Sequence, residues 1–274
     1  MRISRRATLS LRAIALLYLT LLLLLPIGVV FARTFEHGFG VAWNWMTTPA
    51  AVSAFWLTVT VAVIAVPLNT IFGIGCALVI VRGKGHSRAR AALDAMIDLP
   101  FVVSPVIVGL ALILVYGETG WFGDWFAHRG IRIIYAPAGM IIATIFVSLP
   151  FVVREVAPVL VEIGDEQEQA AATLGASAWQ TFRRITLPSI RWGVAYGVVL
   201  TTARALGEIG AVLVVSSNVA GSTLTLPLLV YQRSQQVGPQ AITGSYAAAT
   251  ELAIMSLVVL LAMTVLAPGR HQSR

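Results

Sequence analysis

Six long apolar runs constrain this chain more than any other feature. A helix that crosses a bilayer needs about 20 mostly apolar residues. Six segments meet that length or come close to it: 13–32, 52–81, 99–116, 138–157, 193–215 and 247–267. The first carries the unbroken leucine run Leu21–Leu25. Inside hydrocarbon a segment must satisfy its own backbone hydrogen bonds, which a helix does and an open strand does not. The expected fold is therefore all-α, a polytopic membrane protein with six transmembrane helices forming one domain over 1–274. Composition excludes the main competitor: only 11% of the residues are charged, against roughly 25% in soluble domains.

Arg2, Arg5, Arg6 and Arg12 precede the first run as they would in a signal peptide. The run exceeds the roughly 7–15 apolar residues of a cleavable leader, so it reads as a retained span, with cleavage as the alternative. Span two is long enough to tilt and holds Pro67 and Asn69. Pro100 and Pro105 lie near the start of span three, and Pro150 lies in span four. Neighbouring helices can re-satisfy the backbone groups that proline frees, and kinked helices suit a pathway better than a plain anchor.

The basic residues orient the spans. With the N-terminus in the cytoplasm, the inside segments 1–12, 82–98, 158–192 and 268–274 hold 13 Lys and Arg, and the outside segments 33–51, 117–137 and 216–246 hold four. Arg154 and Arg204 fall within spans. This asymmetry fits the positive-inside rule with both termini cytoplasmic. It also accounts for the net charge of +7 without a nucleic-acid partner; the surrounding partner is lipid. The apolar stretch 225–231 is too short to span and reads as an external helix at the membrane edge, or as a re-entrant segment.

Catalytic chemistry finds little support. The lone Cys76 cannot form an intramolecular disulfide and reads as a packing residue. His37, His86, His128 and His271 are scattered without ligand spacing, so no metal site is expected. No phosphate-binding loop of the Gly-x-x-x-x-Gly-Lys-Ser/Thr type occurs. If the chain uses ATP energy, another subunit supplies it, and the chain is not itself an enzyme.

The longest cytoplasmic loop, 165–188, carries the most information. Asp165 with Glu168, and Ser177 with Gln180, have the spacing of capping boxes. The alanines between favour helix. Gly175 is placed to end the first short helix, Arg183 and Arg184 suit the C-terminal end of the second, and Pro188 is placed to end it. Two readings are open on these residues alone. Ala170, Ala171 and Ala172 would let a partner surface approach closely. Alternatively, Trp179 and Phe182 would hold an ordinary loop helix on the membrane surface.

This loop resembles the Glu-Ala-Ala loop of the permease subunits of binding-protein-dependent ABC importers. That pattern is Glu-Ala-Ala, three residues, Gly, nine residues, then Ile-x-Leu-Pro; Ala170, Ala171, Gly175, Ile185, Leu187 and Pro188 match it. The glutamate position holds Gln169, with Glu168 just before it. The resemblance runs along nearly the whole chain. Leu99-Pro-Phe-Val-Val-Ser-Pro-Val-Ile-Val-Gly-Leu-Ala-Leu112, Ala203-Arg-Ala-Leu-Gly-Glu-Ile-Gly-Ala211 and Thr225-Leu-Pro-Leu228 are similar to the sulfate and molybdate group. Pro150-Phe-Val-Val-Arg-Glu155, Ile190-Arg-Trp192 and Val214-Val-Ser-Ser217 look most like its W-type sulfate/thiosulfate subunits.

The resemblance implies an inner-membrane subunit of a bacterial importer. It implies a coupling helix between spans four and five that docks on a CysA-type ATPase dimer through Gln169, Ala170, Ala171, Thr173, Leu174, Gly175 and Trp179. The other implied partners are a T-type sulfate permease and an extracytoplasmic sulfate-binding protein. No cofactor is implied on this chain, ATP and Mg belonging to the ATPase. A molybdate or tungstate permease is the alternative within the family, and a channel-like or structural membrane subunit the alternative outside it.

Ionisable groups at membrane depth are expensive and therefore candidates for function. Arg204 and Glu208 are four residues apart, on one helix face. They read either as an ion pair that fixes packing or as a pathway site, with Arg204 offsetting an oxyanion and Glu208 holding it in place. Ser104, Thr201, Ser148 and Thr202 could donate to a passing oxyanion, or simply pack helices. Arg154, Glu155 and Glu251 are expected to snorkel to the interfaces.

Overall fold

A computed structural model of the chain describes residues 5–83 and 87–266. Among these, every regular element is helical. Helix α1 (Arg5–Leu19) passes through a π turn (Thr20–Leu24) into α2 (Leu25–Phe35), and a short α3 (Phe39–Met46) leads to the 34-residue α4 (Pro49–Arg82). Then come α5 (Ser87–Val102), α6 (Pro105–Tyr116), the five-residue α7 (Gly123–Ala127) and α8 (Pro137–Ile163). The 165–188 region forms α9 (Glu166–Thr173), α10 (Ala178–Thr181) and a second π turn (Phe182–Thr186), which runs into α11 (Leu187–Leu206). The remaining helices are α12 (Gly210–Val215), α13 (Leu226–Ser234) and α14 (Pro239–Leu266).

Four stretches are long and apolar enough to cross a membrane: Leu11–Phe35, Pro49–Arg82, Pro137–Ile163 and Ala241–Met263. The α5–α6 pair qualifies as a fifth if taken together, bent by 112°. The chain is thus a multi-pass membrane protein. The expected spans 13–32, 52–81 and 138–157 fall within these stretches, while 247–267 runs past Met263 and follows α14 to Leu266. Residue 267, the two termini expected in the cytoplasm, and residues 84–86 with His86 lie outside the described residues, as does His271.

Two expected spans are not continuous helices. The segment 99–116 breaks because a residue before proline is pushed out of the helical region. Ser104 is extended, at φ −58° and ψ 135°, and Pro105 opens α6. Helix α5 begins at Ser87, so much of the expected loop 82–98 is helical. The segment 193–215 breaks between Leu206 and Gly210. There the Glu208 carboxylate accepts the Ala211 N–H at 3.0 Å, satisfying one of the free amides that begin α12.

Pro188 does not end a helix as expected; it sits in the first turn of α11. Each π turn ends two residues before a proline, Pro26 in one case and Pro188 in the other. A proline ring collides with the carbonyl four residues back in an α-helix. The wider π turn makes room for it and lets the helix continue.

Helix α8 is the centre of the bundle, packed between α4 and α11. Small residues allow the approach. Helix α4 turns Ala51, Ala54, Ala62, Ala65, Gly73 and Ala77 inward, the close-packing pattern typical of helices in membranes. A Cβ on Gly73 would lie 2.6 Å from Val152 Cβ, and one on Gly197 would lie 2.9 Å from Val152 Cα. Asn69 adds a polar cross-link, donating to Ser148 Oγ at 2.8 Å and to the Ile145 carbonyl at 3.1 Å.

Helix α13 differs from the expected edge helix. Leu226, Pro227, Leu228 and Leu229 are buried in the protein's own core, against α14 and α4. Arg233 is buried as well. It donates to the Gly244 carbonyl at 3.0 Å and to Thr48 Oγ1 at 2.9 Å, with its guanidinium 5.0 Å from the centre of the Trp45 ring. Cys76 is partly buried beside the cluster built on Val152, Val156 and Ile190.

Candidate functional site

The 165–188 region forms the expected helix–Gly–helix knob. Gly175, at φ +82°, ends α9 in a reversed turn where only glycine is unstrained. The Ala176 N–H bonds the Ala171 carbonyl and the Gly175 N–H bonds the Ala172 carbonyl, the Schellman pattern. Ser177 and Gln180 form the expected reciprocal capping box. Asp165 does not cap, since its side chain makes no cap hydrogen bond.

The residues expected at the docking surface lie largely on one exposed knob. Gln169, Ala170, Thr173 and Gly175 are exposed and Ala171 is half-buried. Leu174 is 88% exposed and Trp179 67% exposed. Trp179 stacks loosely on Phe182, with ring centres 5.6 Å apart.

Glu168, beside Gln169, turns the other way. Its Oε2 meets Arg82 Nε at 3.0 Å, and its Oε1 accepts the Thr186 hydroxyl at 2.8 Å. Arg82 also donates to the Gly164 carbonyl. Three segments therefore meet at one carboxylate: the end of α4, the start of the knob and the turn entering α11. The available signal was Arg82 at the end of span two expected to face the cytoplasm, and an acid in the first turn of α9. Their contact, 86 residues apart, has no local signature.

Within the bundle, Arg204 Nη2 lies 3.0 Å from Glu208 Oε2. The pair straddles the α11–α12 break rather than lying on one helix. Glu208 is buried, while Arg204 remains 37% exposed and faces a cavity of about 430 Å³. That cavity lies at the other break, lined by Phe101, Val103, Ser104, Pro105 and Phe151. The structure thus brings Arg204, Glu208 and Ser104 to one region where two helices are interrupted. Thr201 is not part of that lining; it is fully buried, with its hydroxyl unpartnered. Ser148 and Thr202 are committed to helix contacts, bonding the Thr144 and Val198 carbonyls.

Arg154 is ion-paired, with its side chain 37% exposed. It grips Asp98 through Nε at 2.9 Å and Nη2 at 2.5 Å, with Asp94 Oδ1 at 3.0 Å from Nη2. The spacing of Asp94 and Asp98, one helical turn apart, was the signal for this contact. Glu251 likewise keeps one carboxylate oxygen buried.

Residues 69–272 match the family described as "Binding-protein-dependent transport system inner membrane component". The chain is 50% identical to the sulfate transport system permease protein CysW of Synechocystis sp., over 90% of this chain and 89% of that protein. It is 36% identical to the CysT permease of the same organism, over 90% of this chain and 86% of that protein. Among solved structures, a bacterial alginate ABC transporter in complex with an alginate-bound periplasmic protein aligns at a TM-score of 0.76 with 19% identity, covering 95% of this chain and 93% of that one. That alignment establishes a shared permease fold. By sequence and by fold, the chain belongs to the family of binding-protein-dependent transport system inner membrane components.

Proposed function

We propose that this chain is the W-type permease subunit of an ATP-driven importer of sulfate, and of thiosulfate as a second oxyanion, in a bacterial inner membrane. The observation that carries this is the near full-length similarity to CysW, stronger than that to CysT of the same organism. The existence of two related permeases in one organism supports a T-type partner, and the alginate complex supports an extracytoplasmic binding protein on the outer face. ATP and Mg are handled by a CysA-type ATPase dimer, and this chain binds no cofactor. The molybdate alternative lacks support from the relatives.

In this reading the broken helices α5–α6 and α11–α12 complete a six-span domain with both termini in the cytoplasm. ATPase closure moves the knob, and the spans re-aim the pathway between the two membrane faces. Leu174 and Trp179 supply the apolar docking contact, around the small residues Ala170, Ala171 and Gly175, with Gln169 and Thr173 as hydrogen-bonding groups beside them. Arg204 offsets the charge of the passing dianion, with Ser104 across the cavity as a hydroxyl donor. Glu208 holds the guanidinium and keeps the site from binding the anion too tightly to release it.

The test is reconstitution of the chain with the T-type permease, the ATPase and the binding protein in proteoliposomes. ATP-dependent uptake of labelled sulfate is expected, competed by thiosulfate and not by molybdate. Uptake without ATP would favour a channel, and preferential competition by molybdate would reassign the substrate.

A further inference from the structure

We propose that Glu168, Arg82 and Thr186 form the joint through which the cytoplasmic knob drives the spans, with Glu168 as its positioning residue. This rests on the docking of an ATPase on the knob, and it assigns a mechanical role to residues that do not touch the ATPase.

No residue of α9 is fully buried, and Ala171 is its only partly buried apolar one, so little apolar packing anchors it to the bundle. At each end the chain turns at a glycine with positive φ, Gly164 at +65° and Gly175 at +82°. With only such turns at its two ends, α9 would swivel when pushed, although the rest of the knob is continuous with α11. The Glu168 carboxylate removes that freedom by using both oxygens, one on Arg82 and one on Thr186. Arg82 reinforces the joint through the Gly164 carbonyl.

The two ion-paired side chains are each 20% exposed, so solvent and salt screen them less than a surface pair. Arg82 is the last residue of α4 and Thr186 immediately precedes α11, and both of those helices pack on α8. A displacement of the knob is therefore delivered to two spanning helices at once. The division of labour between neighbours also accounts for Gln169: it faces outward, and the carboxylate that the fold requires is one residue earlier, facing inward.

The experiment compares the reconstituted importer with Glu168→Ala, Arg82→Ala, the double variant and the near-isosteric Glu168→Gln. The readouts are retention of the ATPase on the purified complex and ATP hydrolysed per sulfate imported. A joint predicts that the ATPase is retained while ATP hydrolysed per sulfate rises several-fold in each single alanine variant. The double variant should be no worse than either single one, because coupled partners are not additive. If the alanine variants fail to fold and insert in the membrane, Glu168→Gln decides: a raised ratio supports the joint and a wild-type ratio overturns it. Wild-type ratios in both single variants, additive defects in the double, or loss of the ATPase from the variants alone would also overturn it. Failure of the unmutated complex to retain the ATPase would instead overturn the docking reading.

Discussion

Arg154 on α8 and Asp98 on α5 form a two-pronged contact, guanidinium edge to carboxylate, at 2.9 and 2.5 Å. Asp94 adds a second acid at 3.0 Å. The contact holds α5 against α8 just before α5 breaks at Pro105, and so sets the direction from which the chain enters the cavity beside Arg204.

Removing this contact should loosen α5 without unfolding the bundle. Its side chains are 37–43% exposed, so the cost lies between that of a surface pair and that of a buried one, about 1–2 kcal/mol. Arg154→Ala is expected to lower the thermal unfolding midpoint of the detergent-purified complex. Arg154→Lys should recover little, since an ammonium cannot make the forked contact. A midpoint unchanged in Arg154→Ala would remove this contact from the account of α5.

Packing around Val152 gives a second prediction. A methyl on Gly73 would lie 2.6 Å from Val152 Cβ, a separation that real structures do not show. Gly73→Ala is expected to destabilise the α4–α8 contact by about 1–3 kcal/mol, the usual range for overpacking. Val152→Ala keeps that Cβ but removes the Cγ1 that the methyl would meet at 2.8 Å, so it should relieve part of the clash, which a double-mutant cycle on thermal stability would reveal as a non-additive pair.

The knob makes a third. Leu174→Asp places a charge on the most exposed apolar residue of the proposed docking surface. Membrane insertion should be unaffected, while co-purification of the ATPase should fall sharply. Gln169→Glu, which restores the usual acid of the loop pattern, should leave co-purification intact, because Glu168 already supplies the carboxylate that the fold uses. An equal loss of the ATPase in both variants would contradict that separation of roles.

The apolar runs made the spans legible, but not their interruptions. Pro67, Pro150 and Pro158 remain inside continuous helices, while Pro105 opens a new one. Hydropathy reads the same across both kinds of site, and the outcome depends on which neighbours satisfy the freed carbonyls. Capping shows a similar limit. Ser177 with Gln180 was readable because both partners are local. Asp165 with Glu168 had the same spacing, yet Glu168 is engaged by Arg82 from the far end of α4. Arg204 and Glu208 could be found from their cost in an apolar run. The helix break between them could not, because it depends on a glutamate acting as a helix cap.

The last prediction concerns that pair. If Arg204 serves the pathway, its charge must matter beyond stability. Arg204→Ala leaves Glu208 buried without its cation, so a loss of uptake alone would not separate transport from folding. Combining Arg204→Ala with Glu208→Gln removes both charges together and avoids the unpaired anion, whose cost can reach about 3–5 kcal/mol. The amide of Glu208→Gln retains an oxygen to accept the Ala211 N–H, so the start of α12 stays capped. The double variant is expected to assemble with a near-normal unfolding midpoint yet import sulfate many-fold more slowly than the unmodified complex. Normal uptake in that variant would reduce the pair to a packing device at the α11–α12 break.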